Sequence, residues 1–352
     1  MSAMTSRASG SPHPSLGEQA VATRRAAEAL DNEVMRNQAL AGAETIAALD
    51  RAQKRRIQPA EPVLVLPANA SAAELKEGRV RRAVRRGNVV YLPSWRESAS
   101  GLPSVFLRSA LFGAANVLRE SVMAESVSSL GDTSLTLTGY RLCDYDRRVF
   151  AACLDCYCAD RPLSNGTEET WVKMTYWQFA KGMNVAYGAN VHSAIRASLI
   201  RLNAAQLCVR VKGEDVPISG LIDVALDDFQ AGGTVSTSRG SDLVVFRIRE
   251  AMANLFGPAD WSAVSKSALH QYAGLTGWLT GFYATHAKSY DMPMVGLHGL
   301  SGSRCDLREF KRRLRGALVK LSGDDVPDSV RIDNFTVTKT HANVKLLRWC
   351  GK

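Results

Sequence analysis

The chain has 352 residues, 46% of them apolar, and a formal net charge of +10, so it can bury two or more cores and favours anionic partners. No run of roughly eighteen uncharged apolar residues occurs, and the start, MSAMTSRASGSPHPSLG, has no apolar signal core, which argues against a membrane span or exported leader. Seven cysteines, an odd number, fit reduced thiols, so a cytoplasmic protein is expected.

The positive excess lies at the ends: residues 1–100 hold 15 Lys+Arg against 10 Asp+Glu, and residues 301–352 hold 12 against 6. Residues 1 to about 60 are rich in Ala, Ser and Arg with weak helical periodicity from Ala20 to Arg56. They read as a disordered or partly helical tail, or as a docking arm that folds on a partner. A basic run, RVRRAVRR at Arg79 to Arg86, ends this tail and linker, which spans residues 1–90; it reads as a solvated linker able to graze phosphates.

A first folded domain is expected over residues 91–255. LPSVFLRSALFGAANVL opens it with dense apolar periodicity, SLTLTGYRL reads as a strand, and Asp144 to Tyr157 reads as a helix with Val149, Phe150, Cys153, Leu154 and Tyr157 on one face. Cys153, Cys156 and Cys158 spell C-x-x-C-x-C, but they fall on that helix without a second ligand pair, so no metal is expected. Thr175 to Val185 reads as a helix and Tyr187-Gly188-Ala189 as a turn. Asn190 is expected to cap a second helix with Val191, Ile195, Leu199 and Leu202 inward. The runs LCVRV, LIDVAL and LVVFRIR then read as strands.

A second domain is expected over residues 256–352. Trp261 to Ala287 reads as largely helical and MVGLHGLSGS as a loop. RCDLREFKRRLRGALVKLSGDD follows as a helix whose Leu307, Phe310, Leu314, Ala317, Leu318 and Leu321 form a buried stripe. VRIDNFTVT and NVKLLRWC read as two strands. Helix, turn, helix and strand pair, twice over, predict an α+β fold of two tandem winged-helix domains, each a helix-turn-helix with a β-wing.

In such a domain the second helix of the pair faces the DNA. The C-terminal one presents cations on one side, so Arg304, Arg308, Lys311, Arg312 and Arg315, with Lys339, Lys345 and Arg348 of the wing, are the expected contacts; Arg313 lies nearer the apolar edge. On the first helix Asn190, His192, Ser193, Arg196 and Arg201 are expected to point outward. Catalytic signatures are missing. No G-x-x-x-x-G-K-[ST] occurs, the six histidines never form H-x-H or H-E-x-x-H, and Asp227-Asp228 and Asp324-Asp325 sit in turn-like contexts. Binding is therefore expected without enzyme activity, cofactor or metal.

Three stretches carry a resemblance. LPSVFLRSALFGA (Leu102 to Ala114), SLGDTSLTLTGYRLCDYDRRVF (Ser129 to Phe150) and WQFAKGMNVAYGANVHSAIRASLIRLNAAQLCV (Trp177 to Val209) resemble the TrfA-type replication initiators of plasmids, which show a similar RSALF segment, G-D-x-x-x-x-x-T-G strand and L-x-R-L-x-A helix end. The likeness covers roughly residues 90 to 350. It implies two winged helices that bind direct repeats (iterons) of double-stranded origin DNA and help to open it. It also implies host partners, the initiator DnaA, the helicase DnaB and the polymerase sliding clamp, and a monomer-homodimer equilibrium. The chain departs from the family in lacking a glutamine-led clamp-binding pentapeptide. A winged-helix transcriptional regulator is the alternative, since the helix pattern is the same; an interaction protein or a nuclease fits the sequence less well.

Overall fold

The structure is a computed structural model that describes residues 16–29, 35–37, 39–44, 46–47, 84–86, 89–115, 120–157, 161–164, 170–211, 213–226, 239–257 and 259–347. These fall into two compact units. The N-terminal unit carries helix α1 (Leu16–Glu28), on which Ala20 and Ala27 are buried and Arg24 pairs with Glu28 one turn on. Most of RVRRAVRR and Cys158 lie outside the described residues.

From Val89 onward the chain is mixed α and β. In order it forms β1 (Ala99–Pro103), β2 (Ser121–Val127), β3 (Thr133–Tyr140), α2 (Asp144–Asp155), β4 (Val172–Thr175), α3 (Tyr176–Gly182), α4 (Ala189–Ala204), β5 (Gln206–Val211), β6 (Glu214–Ile218), β7 (Ile222–Leu226) and β8 (Leu243–Ile248). There follow β9 (Trp261–Ser265), α5 (Lys266–Gln271), α6 (Gly274–Ala284), β10 (Met292–Pro293), α7 (Met294–Leu300), α8 (Leu307–Leu321), β11 (Ile332–Val337) and β12 (His341–Leu346).

One connectivity occurs twice. Helix α2, strand β4, helices α3 and α4, and strands β7 and β8 make a module whose antiparallel sheet has the order β7-β8-β4. Helix α6, strand β10, helices α7 and α8, and strands β11 and β12 repeat it with the order β11-β12-β10. In the first module a hairpin, β5–β6, intervenes after α4 and joins β3 and β2 in a four-stranded sheet. Gly139 lets β3 pass the end of α4: its φ is +123°, and a Cβ there would lie 2.3 Å from the Ala204 carbonyl oxygen.

Two hydrophobic cores match this repeat. The first runs from Val90 to Leu269 and the second from Ala268 to Leu346, so they divide at α5. Trp261 to Ser265, expected as helix, is strand β9 paired with β1, and Trp261 packs on Trp95 and Phe256. MVGLHGLSGS, expected as loop, contains α7. Met294, Leu297 and Leu300 fall every third residue and are buried, and burying three large apolar side chains, about 1.5–3 kcal/mol each, outweighs about 1 kcal/mol for each of Gly296 and Gly299.

Helix α2 joins the two cores. Asp146, fully buried, accepts from Ser198 Oγ (2.6 Å) and Arg201 Nη2 (2.7 Å) on α4 and from the Cys143 backbone (2.9 Å). Two residues earlier, Asp144 pairs with the buried Arg147 at 2.6 Å and accepts from the Gly274 backbone at 3.1 Å, while Arg147 Nη2 donates to the Gly277 carbonyl at 2.7 Å. Burial pushes the Asp144 carboxyl above its usual range, and the Arg147 guanidinium opposes that. Gly277 and Gly281 make room on α6: a Cβ on Gly281 would lie 2.0 Å from Arg147 Nη1.

Asp146→Ala leaves the Arg201 guanidinium buried without its counter-ion and is expected to cost about 3–5 kcal/mol in urea unfolding. Gly281→Ala crowds Arg147 and is expected to cost about 1–3 kcal/mol in the same measurement.

Candidate nucleic-acid interface

Helix α8 is built to show one face. Asp306 caps it by accepting from the Glu309 backbone at 2.8 Å; Phe310, Leu314, Ala317, Leu318 and Leu321 are buried, and Arg308, Arg312, Arg315 and Val319 lie on the opposite side. Two flanking cations tie this helix to the hairpin β11–β12. Lys311 Nζ donates to the Lys339 carbonyl, and Arg315 Nη2 donates to the Val337 carbonyl at 3.3 Å. The turn between the strands closes through Thr338, whose backbone donates to the His341 carbonyl at 2.9 Å and whose hydroxyl accepts from the His341 backbone at 2.9 Å. Lys339 is thereby held at the exposed tip beside the helix.

Carboxylates neutralise part of the expected set. Arg304 forks onto Glu120, whose carboxyl its hydrogen bonds hold below the usual range, and Arg141 shares that acid at 3.2 Å. Arg312 and Arg313 both bind Glu309, and these hydrogen bonds hold its carboxyl down to about 2. Its unfolded value is higher, so these pairs are present at neutral pH and are lost only as pH falls through about 2. Lys345 pairs across the hairpin with Asp333 at 3.1 Å. Arg308, Lys311, Arg315 and Lys339 have no carboxylate partner among the described residues. Arg348 lies outside the described residues.

On α4 the structure corrects three expectations. Gly188 is the N-cap and Asn190 is the second residue of the helix, exposed like Ser193. His192 points inward rather than outward: three residues before Ile195, it shares the buried stripe, stacks on Tyr176 with centroids 3.8 Å apart, and bonds the Tyr187 hydroxyl through Nδ1 at 3.0 Å. Arg201 also turns inward, three residues after Ser198, to reach Asp146. Both hold the helix in place. Arg196 is half-buried, which leaves Asn190 and Ser193 as the exposed polar groups of the expected set.

Each helix borders its own cleft, and the two clefts share part of their lining. A cleft of about 400 Å³ is lined by Ala194 and Ala197 of α4, and another of about 580 Å³ by Arg313, Gly316 and Lys320 of α8; Ala114, Ala115 and Gly274 line both. Glu309 and Glu120 are absent from the expected set. The spacing of Glu309 to Arg312 and Arg313, three and four residues, was a signal for the first pairing, whereas nothing local announces a contact between Glu120 and Arg304.

Among the described residues no cluster of three or more His, Cys, Asp or Glu is placed to hold a metal ion, and no helix is long and apolar enough to cross a membrane. Cys153 is fully buried on α2, and burial pushes its thiol well above the usual range.

The inward and outward positions of α4 separate in a stability measurement. His192→Ala is expected to lower unfolding free energy by about 2 kcal/mol or more, and Asn190→Ala or Ser193→Ala to change it by at most about 0.5 kcal/mol. No protein-family model and no curated protein matches the sequence. Among solved structures, two crystal structures of RctB domains 2 and 3 align with TM-scores of 0.44: one at 11% identity over 69% of this chain and 97% of that one, the other at 12% over 67% and 94%.

Proposed function

We propose that the chain is a replication initiator that binds double-stranded origin DNA through two winged-helix modules, with α8 and the turn at residues 338–341 gripping phosphates and α4 adding discrimination. The observation that carries this reading is the outward side of α8 and the adjacent hairpin turn, where Arg308, Lys311, Arg315 and Lys339 lack carboxylate partners among the described residues and Lys311 and Arg315 are fastened to the hairpin. A solvated helix face normally alternates signs. Four cations without carboxylates on one helix and its neighbouring turn suit an array of phosphates, whose binding releases condensed counter-ions.

The twofold order of helix, strand, two helices and two strands supports the winged-helix reading, with α4 and α8 in corresponding positions. Linking two reading heads raises the effective concentration of the second once the first has bound, so a monomer can read a long site. The resemblance to TrfA-type initiators supplies the finer part of the proposal: iterons as the target, opening of adjacent DNA, recruitment of DnaA, DnaB and the sliding clamp, a monomer-homodimer equilibrium, and a cytoplasmic protein associated with plasmid or nucleoid.

The electrostatic part is tested on a duplex of about 30 random base pairs over a salt series. The double variant Arg308→Ala, Arg315→Ala is expected to flatten the slope of log K against log salt by about two, roughly one for each lost phosphate contact; an unchanged slope overturns the assignment. Initiation is tested by maintenance of a plasmid carrying the DNA that flanks the reading frame. The wild type is expected to sustain it and the double variant to lose it, whereas a transcriptional regulator would leave maintenance unaffected.

A further inference from the structure

Asp306 and Glu309 have the spacing of a reciprocal helix cap, in which the glutamate reaches back to the backbone N–H of the capping residue. In α8 the glutamate does something else. Its Oε2 accepts from Arg312 Nε at 2.7 Å, and its Oε1 accepts from Arg312 Nη2 at 2.6 Å and from Arg313 Nε at 2.7 Å.

A guanidinium is a flat fork with five N–H groups on three edges. Glu309 occupies the edge made by Nε and Nη2. The end edge, Nη1 with the second hydrogen of Nη2, has no partner among the described residues, and its two parallel donors match the O6 and N7 acceptors of guanine in the major groove. Arg312 sits opposite the buried stripe with 75% of its side chain exposed, whereas Glu309 beneath it is 28% exposed. The carboxylate orients the fork and removes rotamer freedom that a lone arginine loses only on binding. It also offsets part of the charge, being shared with Arg313, so Arg312 is a weaker phosphate ligand than the cations without a carboxylate beside them, and directional hydrogen bonding is its distinctive contribution.

We infer that Glu309 is a positioning residue that presents Arg312 to a guanine edge, so that Arg312 reads sequence while Arg308, Lys311, Arg315 and Lys339 hold the backbone. This rests on the duplex-DNA reading above and divides its contacts into two kinds.

The test begins with selection of duplexes from a random-sequence library by the wild type, Arg312→Ala and Glu309→Gln. The wild type is expected to enrich a guanine at a fixed position, Arg312→Ala to lose that guanine while keeping the rest of the preferred sequence, and Glu309→Gln to show it weakened. In the selected duplex, 7-deazaguanine at that position removes the N7 acceptor. It is expected to weaken wild-type binding about five- to a hundredfold and to leave Arg312→Ala binding unchanged. On unselected duplex Glu309→Gln is expected to bind more tightly than the wild type because a negative charge is gone, so a weakened guanine preference in the same variant separates positioning from a loss of affinity or of fold. Thermal unfolding of both variants is expected to match the wild type. Equal sensitivity of wild type and Arg312→Ala to 7-deazaguanine, or weaker binding of Glu309→Gln to all duplexes alike, overturns the inference alone. Failure of the wild type to enrich any duplex overturns the DNA reading and this inference with it.

Discussion

Two aspartates at the start of α2, two residues apart, hold the arrangement together. Asp146 reaches α4 through Arg201 and Ser198, and Asp144, through Arg147 and the Gly274 backbone, reaches α6. Removing two charges from water costs several kcal/mol for each ion, so such pairs add little net stability compared with apolar packing of the same volume. Their effect is on geometry. The Asp146–Arg201 pair tolerates no sliding of α2 past α4, because a slip leaves an ion in the core without its partner, while the Asp144–Arg147 pair lies within α2 and fixes α6 through its bonds to the Gly274 and Gly277 backbone. The helix on which both pairs start therefore sets the placement of α4 and of the module that carries α8.

How much of this was legible in the sequence depends on how far the deciding contact lies along the chain. Helix α8 was readable because its buried and charged residues keep a helical period, and β11 and β12 because their apolar runs flank a turn. The inward turn of His192 was not, since its partners Tyr176 and Tyr187 lie on other elements and nothing marks a histidine as a stacking group until the helix has been placed. Arg201 misled in the same way: it looks like a surface cation until Asp146, 55 residues earlier, comes alongside. Helix α7 was hidden by its glycines, and β9 by a pairing with β1 that spans more than half of the folded chain.

The cationic end of the molecule is less uniform than its composition implies. Glu120, Glu309 and Asp333 each answer cations that the sequence alone leaves available, and what remains is a smaller group at the junction of α8 and the hairpin turn. Backbone carbonyls of Val337 and Lys339, not acids, receive Arg315 and Lys311 there. A carbonyl orients a cation without cancelling its charge, whereas a carboxylate orients and cancels together. The same residue type thus acquires two characters on one helix, according to which acceptor its neighbours supply.

The absence of side chains at Gly277 and Gly281 lets Arg147 lie against the α6 backbone, which brings the two modules into close contact at this point. If both modules read DNA, a reader so braced would resemble calipers locked at one opening. If duplex DNA lies across both heads, variation in the distance between target sequences has to be absorbed by the nucleic acid. Pyrimidine–purine steps, which kink and unstack most readily, would then be favoured between the contacted bases although no side chain touches them.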